Sequence, residues 1–307
     1  MRVFVTLSNS LCLVDLDTSE ISPILEGSAL HYYYGITWDQ NNFYVGRGVR
    51  GDEVKPVLLT LDSGLNIVNE KHLEGYGPHQ LYYDNNTDKL HWCLAVSNFI
   101  YVGKENSWEE WNPLNDSYET WKNRVGWTLN KEEAKGIGRV ASQQTQNKPM
   151  NFYNSIWIDN SNGNKYVVAH NRGNSEIIML DNSHNIISIT KAGRYAHNVW
   201  IDSNVIYTCS SKESSIIKSN GDVVYNTGTN HFVRGISIVN DKIALGMSEI
   251  ASQVNRKNTK SILRILDRNW NLVKDIEFVV GTGQILDVRI LSNEDICHNN
   301  ITPPALA

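Results

Sequence analysis

The sequence lacks any apolar run long enough to cross a membrane as a helix, which takes about 20 residues. The run between Met1 and Asp17 is shorter and alternates in the manner of strands, with no basic segment before it and no small-residue cleavage site after it. We therefore expect neither a signal peptide nor a membrane as partner.

Cysteine is also scarce. The four cysteines, Cys12, Cys93, Cys209 and Cys297, lie far apart and form no C-x-x-C pair. Secreted domains that are stapled by disulfides use cysteine far more densely. This usage favours a reducing compartment, and we expect the protein to be cytoplasmic.

Basic runs are missing as well. No run of lysine and arginine is longer than a pair, and the net charge is -5 with a pI near 6.0. Such a chain does not attract polyanions, so nucleic acid is not an expected partner. The sequence also contains no G-x-S-x-G, no phosphate-binding glycine loop and no dinucleotide fingerprint, which sets aside the enzyme classes built on those motifs.

What the sequence does contain is a repeated strand. The stretch from Tyr195 to Asp202, Y-A-H-N-V-W-I-D, recurs in recognisable form along the whole chain. Its aligned copies cover residues 34–39, 79–84, 154–159, 197–202, 234–239 and 286–291. Each is a short β-branched and aromatic run between turn residues, which is typical of a strand buried on both faces.

A second repeat, an aspartate followed four residues later by an asparagine, marks three outer hairpins. The pairs are Asp62 and Asn66, Asp181 and Asn185, and Asp267 and Asn271. We expect the aspartate to start the turn by accepting a backbone hydrogen bond. The asparagine is expected to take the left-handed conformation that closes it.

The two repeats define a four-stranded antiparallel unit, with strands expected in the third copy at residues 152–159, 165–171, 175–181 and 185–190. Three strands at 2–8, 11–16 and 21–25 have no inner partner, whereas the inner strand near 286 has only a short tail after it. Joining the two ends removes exposed sheet edges. We therefore predict an all-β fold: one domain over residues 1–307, a six-bladed β-propeller whose last blade is closed by the N- and C-terminal strands.

The step of 75 residues between the second and third inner strands is too long for one blade. The excess, about residues 106–148, contains Trp108, Trp111, Trp121 and Trp127, and has helix-prone stretches at 115–122 and 131–135. We predict a partly helical insertion between blades 2 and 3. It either packs against a blade or a neighbouring subunit, which would make a homo-oligomer, or covers one mouth of the channel as a lid.

Because inner strands surround the axis of a propeller, the first residues of each copy should line one mouth of the channel. The first two aligned positions hold Tyr34, His79, Asn154, His197, Arg234 and Leu286, then Gly35, Gln80, Ser155, Asn198, Gly235 and Asp287. Upstream stand His31, Tyr76, Asn151, Arg194, His231 and Gly283, and His170 ends a second strand that faces the same mouth. Because a ring built only for packing would be small or apolar, this composition predicts a polar site for a small molecule.

The blade rhythm resembles the six-bladed propellers of the TolB-like class, including NHL-repeat, senescence-marker (gluconolactonase) and peptidyl-amidoglycolate lyase types. Residues 231–237 and 244–249 are also similar to an uncharacterised bacterial propeller family. The resemblance implies a divalent cation held by side chains from several blades, zinc as in the lyases or calcium as in the lactonases. The metal ligands would be His79, His197 and Asn154. A three-histidine zinc site would also need His31, His170 or His231, and a calcium site would have only Asn154, Asn198 and Asp287.

We therefore predict a channel site that binds a small polar or anionic molecule for metal-dependent hydrolase or lyase chemistry. His79, His197 and Arg234 are the candidate catalytic residues, and Arg234 would hold an anionic group. The candidate ligand-binding residues are Tyr34, Asn154, His170, Asn198, His231 and Asp287. Alternatively, the channel is filled with water and Arg234 forms a salt bridge across it to Asp287. A further alternative is that the propeller is a non-catalytic ligand-binding or protein-interaction module. The remaining expectation is that His72, His91, His184 and His298 lie at the surface.

Overall fold

The computed structural model describes residues 1–27, 31–50, 54–125, 149–171, 174–228, 230–252, 255–298 and 301–307. Within these ranges the chain forms 24 strands in six four-stranded sheets, and one α-helix. No helix in this part of the chain has the length and apolarity needed to span a membrane.

Each sheet is one antiparallel blade of a propeller, and we number the blades by their inner strands along the chain. Blade 1 comprises β4 (His31–Trp38), β5 (Phe43–Arg50), β6 (Val54–Leu61) and β7 (Ile67–His72). Blade 2 comprises β8 (Pro78–Asp84), β9 (Lys89–Leu94), β10 (Phe99–Lys104) and β11 (Ser107–Trp111). Blade 3 comprises β12 (Tyr153–Ile158), β13 (Lys165–Asn171), β14 (Asn174–Leu180) and β15 (Ile186–Arg194). Blade 4 comprises β16 (Ala196–Asp202), β17 (Val205–Ser210), β18 (Ser215–Lys218) and β19 (Val223–Asn226). Blade 5 comprises β20 (His231–Val239), β21 (Lys242–Glu249), β22 (Ser261–Asp267) and β23 (Leu272–Phe278). Blade 6 comprises β24 (Ile285–Ile290), β1 (Arg2–Leu7), β2 (Ser10–Asp15) and β3 (Ile21–Glu26).

The ring closes between the two ends of the chain. Strand β24 pairs antiparallel with β1, placing Ile290 opposite Val3 and Val288 opposite Val5. It also packs against β20 on one side and β4 on the other. The predicted six-bladed fold and the closure of its last blade are confirmed.

The outer hairpins form where the second repeat predicts them. In each, an aspartate Oδ1 accepts the backbone N–H of the asparagine: Asp62 from Asn66 at 2.9 Å, Asp181 from Asn185 at 2.8 Å and Asp267 from Asn271 at 2.9 Å. The left-handed residue is the one before the asparagine: Leu65 (φ 64°), His184 (φ 66°) and Trp270 (φ 65°). The prediction of a left-handed asparagine is therefore wrong. The asparagine is held by the aspartate on both its backbone and its side chain, so the preceding residue makes the turn.

The insertion between blades 2 and 3 begins later than residue 106, because residues 107–111 form β11, the outer strand of blade 2. Its helix, α1 (Tyr118–Val125), starts after Ser117, whose Oγ accepts the backbone N–H of Thr120 at 3.2 Å. Trp121 is fully buried against Met150 and donates its indole N–H to Asn171 Oδ1 at 3.2 Å. The helix is thereby docked on blade 3. The second helix-prone stretch, 131–135, and Trp127 lie outside the described residues.

Beyond β24 the chain crosses the end of the channel at which the inner strands finish, which we call the lower mouth. Trp38 and Trp157, on blades 1 and 3, donate their indole N–H groups to the carbonyls of Ile301 and Ile296 at 2.9 and 3.0 Å. Fully buried Asp295 accepts hydrogen bonds from the Ser237 hydroxyl and, at 3.0 Å, from the backbone N–H of Ile238. The tail therefore fills the lower mouth.

His298 lies in this tail, with 4% of its surface exposed, and its Nδ1 contacts Asp295. The expectation that it lies at the surface is wrong, because the tail folds back into the channel instead of leaving it. His72 and His184 are exposed, as expected, whereas His91 on β9 is buried, so the expectation is wrong for His91 as well.

Candidate functional site

Every inner strand leaves its pairing register at the same height. The shifts in partner fall around Tyr34 and Gly35, His79 and Gln80, Asn154, Asn198, Arg234 and Gly235, and Leu286. A β-bulge bends its strand and re-aims a side chain. Here six bulges ring the end of the channel at which the inner strands begin, which we call the upper mouth.

Four blades bring aromatic rings together at the upper mouth. The imidazoles of His79 (blade 2) and His197 (blade 4) have centroids 5.8 Å apart and planes 11° from parallel. Tyr34 of blade 1 lies 5.8 Å from His79, and Phe232 lies edge-on to His197 at 5.4 Å. The two histidines thus converge as the alignment predicts, across the inner strand of blade 3.

The hydrogen bonds of the two histidines fix their tautomers. His79 Nδ1 lies 3.0 Å from the carbonyl oxygen of Gly77, and His197 Nδ1 lies 2.9 Å from that of Tyr195. A carbonyl oxygen only accepts, so each Nδ1 carries the proton. Ser211 Oγ, 2.9 Å from His197 Nδ1, donates its own proton to Val233 O at 2.6 Å and is therefore a second acceptor. Each Nε2 is left with a lone pair.

Both imidazoles stay neutral at pH 7. Burial is the largest cause that lowers the pKa of His79 to about 3, and the Arg234 cation is the next. The same two causes hold the pKa of His197 well below its usual value. Because His79 is still partly exposed, its Nε2 can be reached from the upper mouth although the ring is poorly solvated. Neutral Nε2 atoms act as hydrogen-bond acceptors or as metal ligands.

Arg234 of blade 5 is the charged group of the site, and 5% of its surface is exposed. Its guanidinium has neither a hydrogen bond nor an ion pair to the residues that the structure describes; desolvation is the main cause that lowers its pKa to about 10. A buried cation without a counter-charge is costly, by several kcal/mol in the usual case. The arrangement is therefore suited to a ligand that supplies negative charge.

Asp287, the alternative partner of Arg234, is paired with other groups. Asp287 forms an ion pair with Arg289 at 3.3 Å and accepts the backbone N–H of Val288 at 3.0 Å. Fully buried Arg289 also donates to the carbonyls of Ile36 at 2.8 Å and Leu81 at 3.1 Å. The salt bridge from Arg234 to Asp287 does not form, and Arg289 fills the axis below the upper mouth.

The second position of the repeat joins neighbouring inner strands. On blades 2, 4 and 6, a side-chain oxygen accepts a hydrogen bond from a backbone N–H of the next blade. Gln80 accepts from Ile156 at 3.0 Å, Asn198 from Gly235 at 2.9 Å and Asp287 from Ile36 at 3.4 Å. Blades 1, 3 and 5 carry glycine, serine and glycine there. Gly235 has φ +82°, and an added Cβ would lie 2.8 Å from Val288 N. These bonds give Asn198 and Asp287 a structural role, and their predicted contact with a ligand stays a prediction.

The other predicted site residues lie around this ring. Asn154 donates its amide N–H to Ala196 O at 3.1 Å, which ties blade 3 to blade 4. His170 packs on Tyr195 with centroids 4.2 Å apart, and burial lowers its pKa to about 4. His231 is partly exposed, and its buried Nδ1 has no hydrogen-bond partner. Ligand binding by these three stays a prediction.

The donor set fits a metal ion poorly. In the described ranges no three His, Cys, Asp or Glu side chains are grouped so that they could hold a metal. His79 and His197 offer two Nε2 atoms, but the oxygens of Asn198 and Asp287 accept backbone N–H groups. The Arg234 charge that lowers the pKa of both histidines also opposes a second cation.

The sequence pattern missed Arg256. It lies in a short 3-10 turn, residues 256–258, in the connection from β21 to β22 that passes over the upper mouth. Its Nε is buried without a hydrogen-bond partner, and its charge lowers the pKa of both Arg234 and His79. The repeat did not identify it because it lies outside the inner strands. The only signal was a basic pair, Arg256 and Lys257, in a loop on the correct side.

Two clefts lie between neighbouring blades. One of about 360 Å³ between blades 1 and 2 contains Asp39 and Lys104, which form an ion pair at 3.0 Å. Another of about 630 Å³ between blades 5 and 6 is mostly apolar. In neither did we find a buried, unpaired charge among the described residues, so the upper mouth is the better candidate site.

The fold places this protein among the six-bladed β-propellers. No protein-family model matches the chain, and no curated protein is similar to it in sequence. The chain is similar to one in the crystal structure of a nidogen/laminin complex, at 10% identity and a TM-score of 0.60 over 94% of this chain and 97% of that one. A protein of unknown function from Bacteroides caccae is similar at 11% identity and a TM-score of 0.60, again over 94% and 97%. A quinoprotein alcohol dehydrogenase-like protein from Bacteroides thetaiotaomicron is similar at 12% identity and a TM-score of 0.53, over 94% and 77%. At such identities the likeness concerns the fold alone.

Proposed function

We propose that the upper mouth binds a small organic anion that also carries a hydroxyl group. Arg234 is the electrostatic anchor, and Nε2 of His79 or of His197 accepts the hydroxyl proton. The observation that carries the proposal is the Arg234 guanidinium, 5% exposed and without a partner among the described residues. A buried guanidinium in this state favours a ligand with a carboxylate or phosphate group.

The two histidines add a second requirement to the ligand. Their Nε2 lone pairs repel an anion that brings only acceptors, whereas a hydroxyl can donate to them. Because the upper mouth also contains the rings of Tyr34 and Phe232, a ligand would contact apolar as well as polar surface. Fixed polar groups among aromatic walls are the usual composition of a small-molecule site.

Two alternatives remain for the test. A metal-dependent hydrolase or lyase would use the two Nε2 atoms as ligands, and elemental analysis of the purified protein would then find bound zinc or calcium that the change His79→Ala removes. An interaction propeller would use its outer strands, where Ile67, Val68, Ile186, Ile187, Leu272 and Val273 are exposed. In that case the upper mouth would not discriminate among small molecules.

The experiment is titration calorimetry of the full chain with glycolate, which has a carboxylate and a hydroxyl, and with acetate, which lacks the hydroxyl. We expect glycolate to bind more tightly, and Arg234→Gln to weaken both by about tenfold or more. The matched control is Arg268→Gln, because Arg268 is 37% exposed and is paired with Asp202 on the outside. Equal binding by the wild type and Arg234→Gln would reject the proposal.

A further inference from the structure

The upper mouth holds two arginines, buried Arg234 and partly exposed Arg256, and neither forms an ion pair with a described residue. Arg234 is 5% exposed, and the Nε of Arg256 is buried without a hydrogen-bond partner. The two charges are close enough for Arg256 to lower the pKa of Arg234. The nearest carboxylate that opposes this effect, Asp287, is committed to Arg289 and to backbone N–H groups. A ligand with one negative charge would leave one of the two arginines without a counter-charge.

Other charged groups around the upper mouth carry both signs, and the carboxylates of Glu213 and Glu249 lie at this end of the propeller. Lys212 lies over the ring of Tyr195 at 5.1 Å, and Lys257 over the ring of Tyr32 at 4.7 Å. His170 is packed on Tyr195 and is neutral at pH 7, since burial holds its pKa near 4.

The histidines restrict the class of anion further. Both Nε2 atoms need a donor, while both arginines need an acceptor. A carboxylate or a sulfate is fully deprotonated at neutral pH and brings acceptors only. A phosphate monoester has its second pKa near 6 and brings two negative charges only after it has lost its hydroxyl proton. Hydrogen phosphate, HPO4²⁻, brings two negative charges and one hydroxyl proton together.

We propose that the upper mouth is selective for hydrogen phosphate, with Arg234 and Arg256 bound to its anionic oxygens and its one hydroxyl proton donated to Nε2 of His79 or of His197. This inference rests on the proposed anion site and assigns phosphate as its ligand class. Arg256 is a specificity-determining residue in this scheme, whereas Arg234 is needed for any anion.

The test is titration calorimetry of the full chain with inorganic phosphate, methyl phosphate, sulfate and acetate in a buffer free of other polyvalent anions. Sulfate has the shape and charge of phosphate but brings no proton. We expect inorganic phosphate to bind at least tenfold more tightly than sulfate. Methyl phosphate has no hydroxyl proton in its dianionic form and should bind less tightly than inorganic phosphate. Equal binding of the two phosphates would overturn the role given to the proton.

The variants separate the roles of the four residues. Arg256→Gln should weaken phosphate tenfold or more and leave acetate unchanged, whereas Arg234→Gln should weaken every anion. The double change His79→Phe, His197→Phe keeps two rings in place and should bring the ratio of phosphate to sulfate affinity to about one. If the double variant does not fold, His197→Phe alone should reduce that ratio severalfold.

The outcomes distinguish this inference from the proposed function. Equal affinities for phosphate and sulfate, or an unchanged phosphate affinity in Arg256→Gln, overturn the phosphate assignment even while acetate binding still depends on Arg234. If no anion binds to the wild type, the proposed function fails and the inference fails with it.

Discussion

Arg234 places a charge where folding alone does not favour one. Its guanidinium is buried, and desolvation lowers its pKa to about 10. Replacing a poorly compensated buried charge with an apolar side chain of similar length often stabilises a protein by about 1–4 kcal/mol. Residues that serve binding commonly reduce stability in this way.

We therefore expect Arg234→Met to raise the free energy of unfolding by about 1–3 kcal/mol while anion binding is lost. Urea denaturation followed by tryptophan fluorescence measures the change. Arg268→Met on the outside should stay within about 0.5 kcal/mol of the wild type. A destabilised Arg234→Met would mean that the arginine is held by favourable contacts within the protein.

At the same scale, the alignment of the inner strands was sufficient to predict that His79 and His197 converge, because equivalent positions of a closed ring face one axis. It could not predict which acid pairs with which base. Asp287 and Arg289 are two positions apart on one strand, so both face the axis and meet at 3.3 Å. Arg234 lies on a bulge of another blade, and the height of a bulge is not visible in a sequence pattern.

Among the elements, β24 decides whether the ring is closed. It is the inner strand of blade 6 and pairs with β1. Deleting residues 283–307 would expose the edge of β1 and the flanks of β20 and β4. We expect the truncated chain to lose its cooperative thermal transition, as measured by circular dichroism. Deleting only residues 304–307 is the control and should leave the transition in place. A normal melting temperature for the longer deletion would refute the closure.

The insertion is the element whose role is still a prediction. Helix α1 is docked by buried Trp121, and Arg124 pairs with Asp116 at 2.7 Å and contacts Glu176 on blade 3. Asn171, which accepts the Trp121 indole, follows His170 at the upper end of β13. The helix therefore lies beside the upper mouth.

Replacing residues 116–148 with a Gly-Ser linker should increase the rate at which an anion enters the upper mouth if the insertion is a lid, or reduce the solution mass if it joins subunits. Stopped-flow fluorescence and light scattering measure the two effects. Trp121→Ala, which removes only the docking side chain, should produce the same change to a smaller degree. If entry rate and mass are both unaltered, neither role applies.

At the level of the whole molecule, the buried acid and the buried histidines give stability opposite dependences on pH. Burial raises the pKa of Asp295 in the lower mouth to about 7, from about 3.9 when unfolded. Its contribution is therefore present at low pH and is lost as the pH rises from about 4 to 7. His79 and His170, with pKa values of about 3 and 4, contribute stability above about pH 6.5 that is lost on acidification.

Asp295→Asn separates these contributions, because an amide oxygen can still accept the N–H groups of Ile238 and Cys297 but does not titrate. As the pH rises from about 4 to 7, we expect the free energy of unfolding of the wild type to fall relative to that of the variant. Urea denaturation at a series of pH values measures the difference. Parallel profiles would show that Asp295 has an ordinary pKa in the folded protein.

The architecture was predictable at this scale because a repeated inner strand, a repeated hairpin signal and unpaired strands at both ends all required the same ring. The tail was not, since nothing in residues 291–307 repeats. Its indole and carboxylate contacts depend on the shape of a cavity that exists only after the blades have closed. For the same reason buried His298 resembled a surface residue.

The pairing of β1 with β24 also has a consequence for biosynthesis. The first three strands leave the ribosome early, but their inner neighbour follows roughly 280 residues later. At about 5–20 residues per second, this delay lasts roughly 14 to 56 seconds. During that time β1 to β3 have a bare edge, and blades 1 to 5 form an open arc. A nascent chain in this state can pair with a second chain, so chaperone demand and aggregation during translation should depend on how fast the last strand arrives.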